Sequence, residues 1–263
     1  MQASLSAAPG RAGNVILCAE GLTKDFSGFT AVKNVDLRIR EGSVHALIGP
    51  NGAGKTTVFN LLTKFLQPTR GRIIYRGEDI TRAGAARVAR MGLVRSFQIS
   101  AVFPHLTLLD NVRVALQRPR YLATQWWRSV TALDTLNARA MELLDAVQLA
   151  DHAHVTAAEL SYGRKRALEV ATTLALDPEM LLLDEPMAGM GHEDVGHIAD
   201  LIRRVAQNRT VLMVEHNLNV VSQLCDTITV LARGEILAEG NYDEVSRDPR
   251  VREAYLGSEP ADD

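Results

Sequence analysis

Gly49-Pro50-Asn51-Gly52-Ala53-Gly54-Lys55-Thr56 is the stretch that decides the fold. Its spacing is G-x-x-x-x-G-K-[ST], that of a phosphate-binding loop. The apolar run Val44-His45-Ala46-Leu47-Ile48 precedes it, and Thr57-Val58-Phe59-Asn60-Leu61-Leu62 reads as a helix behind it. A strand, a glycine turn and a helix are the context that the spacing needs. Glycines let backbone N–H groups converge on phosphate oxygens, and the helix start adds the positive end of its dipole. The expected contacts of a nucleoside triphosphate are Gly49, Asn51, Gly52, Ala53, Gly54, Lys55, Thr56 and Thr57. Lys55 would reach the terminal phosphates and the Thr56 hydroxyl would ligate Mg2+. An ordinary glycine turn is the competing reading, and the flanking strand and helix weigh against it.

Bulk composition bounds the rest. The chain has 263 residues, 46% hydrophobic and 23% charged, which suits one globular unit with a sizeable core. A net charge of −2 gives no reason to expect nucleic acid or an anionic membrane as a partner. The local clusters Arg164-Lys165-Arg166 and Arg203-Arg204 read as solvated faces. Cys18 and Cys225 lie far apart without C-x-x-C spacing, so each is expected to be a buried reduced thiol. Residues 1–13 lack the charged start and apolar core of a signal peptide and read as a flexible tail, as do 258–263. No apolar stretch approaches the roughly 20 residues of a membrane helix, so a cytoplasmic location is expected.

Patterning predicts an α/β layered fold. Val15-Ile16-Leu17 and the alternation of Val35, Leu37 and Ile39 predict half-buried strands, as does Gly71 to Gly77. Together they suggest an antiparallel sheet beside the phosphate loop. Met180 to Asp184, Thr210 to Glu215 and Thr227 to Leu231 are continuous apolar runs, the mark of buried parallel strands. Helical patterns at Arg166 to Leu176 and Val195 to Ala206 lie between them. From about Leu106 to Glu159 apolar residues recur at helical spacing without a convincing strand, which predicts an inserted helical lobe. Trp126-Trp127 read as packing within that lobe.

Two further constellations carry chemistry. Asp184-Glu185 ends a core strand, and the carboxyl end of such a strand lies beside the phosphate loop in an open α/β sheet. Asp184 would hold Mg2+, directly or through water, and Glu185 could polarise an attacking water. Ser161-Tyr162-Gly163-Arg164 precedes that strand. Ser161 could cap the following helix and Gly163 permits close approach, which describes either an anion site or a plain helix cap.

Leu160-Ser161-Tyr162-Gly163-Arg164 resembles the signature motif of ABC-type ATPases, and its place ahead of the Asp184-Glu185 strand is similar too. Gln98 resembles that family's glutamine at the start of the helical lobe, with a role at the metal and the attacking water. His216 resembles its switch histidine, and Phe26 its adenine-stacking aromatic. The resemblance covers about Val15 to Gly257. It implies a P-loop NTPase fold: a RecA-like core sheet with an antiparallel β subdomain and an inserted α-helical subdomain. The corresponding division is one ATPase domain over 14–257, with core 14–98 and 164–240, helical subdomain about 99–163, and C-terminal segment 241–257.

Tyr162 in the signature is similar to the branched-chain amino acid importer ATPases, as are Gly92 to Gln98, Val102 to Thr107 with Asp110-Asn111-Val112, Glu215 to Leu218 and Ala254 to Gly257. The chain departs from the wider family at Arg164, where glutamine is usual, and at Gly191, where the loop after Pro186 usually ends in an acid or amide. The resemblance implies an ATPase that binds ATP and Mg2+ and works as a head-to-tail pair, with a second copy or a related second subunit. Ser161 and Gly163 would close over the γ-phosphate held by the facing protomer, with catalysis by Glu185, His216, Gln98 and Lys55. It further implies transmembrane permease subunits, an extracytoplasmic substrate-binding protein acting indirectly, and a peripheral place on the inner face of a bacterial-type membrane.

A soluble non-transport ABC ATPase, or an importer ATPase for urea, amides or small aromatic acids, stays open as an alternative. A GTPase reading lacks an N/T-K-x-D guanine motif. A kinase would not need the signature, Gln98 and His216 in this order.

Overall fold

The computed structural model describes residues 14–96, 102–117 and 135–256, the side chains of His192, Glu193 and Leu256 excepted. Gln98, Ile99 to Ala101, Trp126-Trp127 and the two expected tails lie outside the described residues.

Two sheets organise the chain. The first is four-stranded and antiparallel: β1 (Val15–Phe26) lies between β2 (Phe29–Arg40) and β4 (Arg70–Tyr75), with the short β5 (Glu78–Asp79) outside β4. The alternation along β2 buries Val35, Leu37 and Ile39 and exposes the residues between them. The second sheet has six strands. Its parallel body is β9 (Thr227–Ala232), β3 (Val44–Ile48), β8 (Thr210–Val214), β7 (Met180–Asp184) and β6 (Leu93–Arg95), in that order. The sixth strand, β10 (Glu235–Gly240), pairs antiparallel with β9 at one edge. Every residue of β3, β7 and β8 is buried, as expected for a sheet covered on both faces.

The side-chain alternation of these strands sorts the molecule into two cores. Leu47, Leu182 and Leu212 point towards the antiparallel sheet and α1 (Lys55–Leu62), meeting Leu17, Leu37, Ile73 and Phe59. Ala46, Leu183 and Met213 point the other way, towards the helices. Those include α3 (Leu108–Gln117), α4 (Asn137–Ala146), α5 (Tyr162–Leu174) and α6 (His192–Ala206). The remaining helices are α2 (Ala85–Arg90), α7 (Leu218–Leu224), α8 (Tyr242–Arg247) and α9 (Pro249–Leu256). Between β6 and α5 the described residues form helices, 3-10 turns and one isolated bridge, Thr107 with Thr156. The helix expected to begin near Arg166 begins at Tyr162, so it runs without a break across position 163.

Two details fix the strands around the phosphate loop. His45 on β3 is 1% exposed, and its Nε2 lies 2.7 Å from Thr229 Oγ1. Thr229 donates onward to Glu239 Oε2 at 2.6 Å, so His45 is the donor to Thr229. Burial pulls the imidazole pKa down to about 4. The strand order β3-β8-β7 also places the carboxyl ends of all three parallel strands along one edge of the sheet. Cys18 and Cys225 are free thiols, half-buried rather than fully buried as expected.

Candidate functional site

The loop between β3 and α1 is shaped by main chain packed against main chain. Gly49, Gly52 and Gly54 have φ of 149°, 77° and 103°, which favour glycine. A Cβ on Gly49 would lie 2.0 Å from the Leu231 carbonyl oxygen, and one on Gly54 would lie 2.6 Å from that of Ala31. Gly234 N–H donates to the Ala53 carbonyl at 3.0 Å, closing the loop against the β9–β10 turn. Ala53 is buried, whereas Asn51, Gly52 and Thr56 are exposed and Thr57 is half-buried. No side chain caps α1, and its first turn holds no acid. Its leading N–H groups therefore suit an anion.

Lys55 is 6% exposed and its Nζ donates to the carbonyls of Gly49 (2.6 Å) and Pro50 (2.9 Å). Burial pulls its pKa down, opposed by the nearby Glu185 and Asp184 carboxylates. The phosphate loop and the acids at the end of β7 thus share one electrostatic environment.

Asp184 is almost fully buried, and its Oδ2 accepts from Arg95 Nη2. Arg95 also donates to Asn60 Oδ1 at 2.5 Å, and its guanidinium lies 5.9 Å from the Phe59 ring centroid. A buried carboxylate needs such a partner. Glu185 follows with φ 48°, a left-handed conformation uncommon outside glycine, and its N–H donates to Val214 O at 3.0 Å. That turn sends its side chain to the end of β8, where Glu185 Oε1 lies 2.6 Å from His216 Nε2. Glu185 is partly buried and His216 more open. The donor set fits Mg2+. Thr56 and Asp184 offer hard oxygens, and the described residues hold no cluster of three or more His, Cys, Asp or Glu that could hold a metal. Magnesium takes one or two protein oxygens and completes its shell with phosphate and water.

Ser161 caps α5, its Oγ accepting from Arg164 N at 3.5 Å. Gly163 is buried against Asp194 of α6, whose Oδ1 would lie 2.6 Å from any Cβ there. Phe26 ends β1 opposite Phe29; it is 43% exposed, with Lys24 Nζ 5.2 Å from its ring centroid. Phe29 leads along β2 to Ala31, whose carbonyl packs on Gly54, so the tip of this hairpin stands beside the phosphate loop. Gly191 takes the N-cap position of α6 and supplies no side-chain hydrogen bond there.

Several contributors lie in stretches that carry the resemblance, yet the sequence assigned them no role. Arg95 reaches Asp184 from β6, a strand too short to show a period. Glu215 is 3% exposed and collects backbone N–H groups from Met187, His216 and Asn217. Asn111 on α3 is buried; its Oδ1 accepts from Phe103 N at 2.7 Å, and its Nδ2 donates to the Phe103 (3.1 Å) and Thr107 (2.9 Å) carbonyls. This holds Phe103 to Thr107 at the edge of a largely apolar groove of about 450 Å³, lined by Phe65, Ala89, Val94, Phe103, Val114 and Thr172 among others.

Comparison with known proteins agrees with this geometry. A family model described as ABC transporter matches residues 32–188, and one described as branched-chain amino acid ATP-binding cassette transporter matches 235–261. The high-affinity branched-chain amino acid transport ATP-binding protein LivG of Salmonella typhimurium is 38% identical over 257 residues, covering 92% of this chain and 98% of LivG. The ADP conformation of MJ1267, an ATP-binding cassette of an ABC transporter, superposes with a TM-score of 0.81 at 29% identity, covering 93% of this chain and 99% of that one. The dimeric structure of MJ0796, a bacterial ABC transporter cassette, gives 0.71 at 26% identity, covering 86% and 98%.

Proposed function

Because this chain belongs to the ABC transporter family of ATP-binding cassettes, we propose that it is the ATP-hydrolysing motor of an importer for branched-chain or related amino acids. The observation that carries the reading is the convergence of the phosphate loop, the Asp184-Glu185 pair and His216 along one sheet edge, with Glu185 and His216 2.6 Å apart.

The mechanism follows from these residues. The glycine loop and the start of α1 hold the phosphates, and Lys55 exchanges its loop carbonyls for phosphate oxygens. Asp184 and Thr56 would hold Mg2+, which would supply positive charge against the phosphates. Glu185 accepts the proton of the attacking water. His216 donates Nε2–H to one Glu185 oxygen and leaves the other for that water. Gln98 completes the water's surroundings. Phe26 offers an exposed π-face to the adenine ring.

Ser161 and Gly163 serve a facing subunit, another copy or a related chain, so one chain holds two incomplete half-sites. The exposed apolar groove at Phe65 and Phe103 supports docking of a short cytoplasmic helix of the permease, and with it a motor at the inner face of the membrane. Closure of the pair on ATP, and its release after hydrolysis, moves the permease between states.

Glu185→Gln tests the reading. ATP turnover is expected to fall about a thousandfold, within the range for loss of a general base. The variant should accumulate an ATP-bound dimer on size-exclusion chromatography. Parental turnover in this variant would remove Glu185 as the base. Indifference of the parent chain to Mg-ATP would remove the whole proposal.

A further inference from the structure

The loop after β7, Met187 to Gly191, is tied down from two sides by Glu215 and Tyr162, two motif residues to which the resemblance gave no role of their own. On one side the buried Glu215 carboxylate accepts Met187 N–H at 3.1 Å through Oε1. Its Oε2 accepts His216 N–H at 3.0 Å and Asn217 N–H at 3.4 Å. One carboxylate therefore fixes both the switch-histidine turn and the start of the β7 loop. On the other side the Tyr162 hydroxyl donates to the Ala188 carbonyl at 3.2 Å. The same hydroxyl accepts from Arg166 Nη2 at 3.0 Å, and the guanidinium lies 5.4 Å from the Tyr162 ring centroid. Arg166 is itself held by Glu169 at 2.7 Å.

Met187 is buried in the helix-side core and Met190 packs against it, but the polar ties within the loop are few. Ala188 N–H bonds the Glu185 carbonyl and Met190 N–H the Met187 carbonyl, while Gly189 turns at φ 74° and Gly191 brings no side chain. Charge-assisted bonds to a buried carboxylate are strong. We propose that Glu215 and Tyr162 are positioning residues that fix the β7 loop between the switch histidine, which serves the chain's own nucleotide, and the signature helix, which serves the facing subunit's. Tyr162 thereby gives the signature a side-chain hold on the loop that glycine at this position could not give. This rests on the motor reading above, but its first test does not.

The test is backbone amide exchange in the nucleotide-free full-length chain. Tyr162→Phe keeps the ring against Arg166 but removes both the bond to Ala188 and the bond from Arg166. Exchange at Met187, Ala188 and Met190 is expected to rise about fivefold, the worth of one ordinary hydrogen bond, with β8 amides such as Leu212 unchanged. Glu215→Gln keeps the volume but loses one acceptor oxygen and the negative charge that strengthens the bonds on both sides. It should raise exchange at Met187 together with His216 and Asn217, a pattern that Tyr162→Phe does not share. In the assembled transporter, Tyr162→Phe should lower kcat several-fold with little change in KM, because Tyr162 does not touch the chain's own nucleotide. Unchanged loop exchange in Tyr162→Phe, a rise spread evenly over β7 and β8, or an unchanged kcat in an active transporter would overturn the proposal. A parent without turnover, but with the exchange pattern intact, would instead count against the motor reading.

Discussion

The loop after β3 and the loop after β7 sit along the same sheet edge and are held in opposite ways. The first is shaped mainly by backbone, Gly49 against Leu231, Gly54 against Ala31 and Gly234 N–H on Ala53, with the Lys55 ammonium added on the Gly49 and Pro50 carbonyls. The second is held by side chains, the Glu215 carboxylate and the Tyr162 hydroxyl. Main chain packed on main chain leaves one geometry, because no rotamer can change to relieve it. Side-chain ties can be exchanged for others during a cycle. The difference suits a cradle that must be ready for phosphate and a neighbour that must respond to it.

The largest effect is expected where the backbone-held loop is crowded. Gly49→Ala places a methyl group on the Leu231 carbonyl in a conformation that alanine resists, and should destabilise the chain by about 3 kcal/mol or more. Urea unfolding measures the loss, and nucleotide titration should show that tight binding goes with it. A stable, ATP-binding Gly49→Ala chain would mean that the loop yields as readily as its neighbour.

Next comes the floor of that loop. His45 has a folded pKa of about 4, below its unfolded value, so below pH 6.5 the unfolded chain takes up the proton first. Stability from this group is therefore full above pH 6.5, declines as pH falls, and is lost by about pH 4. The total is on the order of 3 kcal/mol. His45→Gln should flatten the pH dependence of unfolding in that window; an equally steep slope would show that other groups carry it.

The smallest effect belongs to the side-chain-held loop. Gly191 has φ −71° and ψ 163°, and a Cβ there meets nothing within 4 Å. Gly191→Asp should cap α6 and restrict the unfolded chain, stabilising it by about 0.5 kcal/mol. A rise in Tm of about 1–2 °C would register it, and a fall would mean that the loop needs the glycine for another reason.

What was legible in the sequence follows from range. The phosphate loop, the apolar runs of β3, β7 and β8, and the acids after β7 are local patterns, and the strands formed where those patterns lay. The edge strands β6 and β10 were not legible: three residues show no period, and β10 is half-exposed along its length. Arg95 on Asp184 and Glu215 on Met187 are contacts across the sheet edge between residues far apart in sequence. A lone arginine or glutamate carries no trace of its partner. Tyr162 stood out as a family marker, yet its hold on Ala188 depends on where α5 starts relative to the β7 loop, which spacing does not give.

The carbonyl that walls in Gly49 comes from β9, made late in synthesis. A nascent chain that has released only the glycine motif from the ribosome still lacks that wall, the neighbouring strand β8 and the β9–β10 turn that closes on Ala53. Chains emerge amino end first, so the motif waits for most of the polypeptide before it becomes a cradle. Cut out as a short peptide, the same eight letters would keep their spelling and lose their shape.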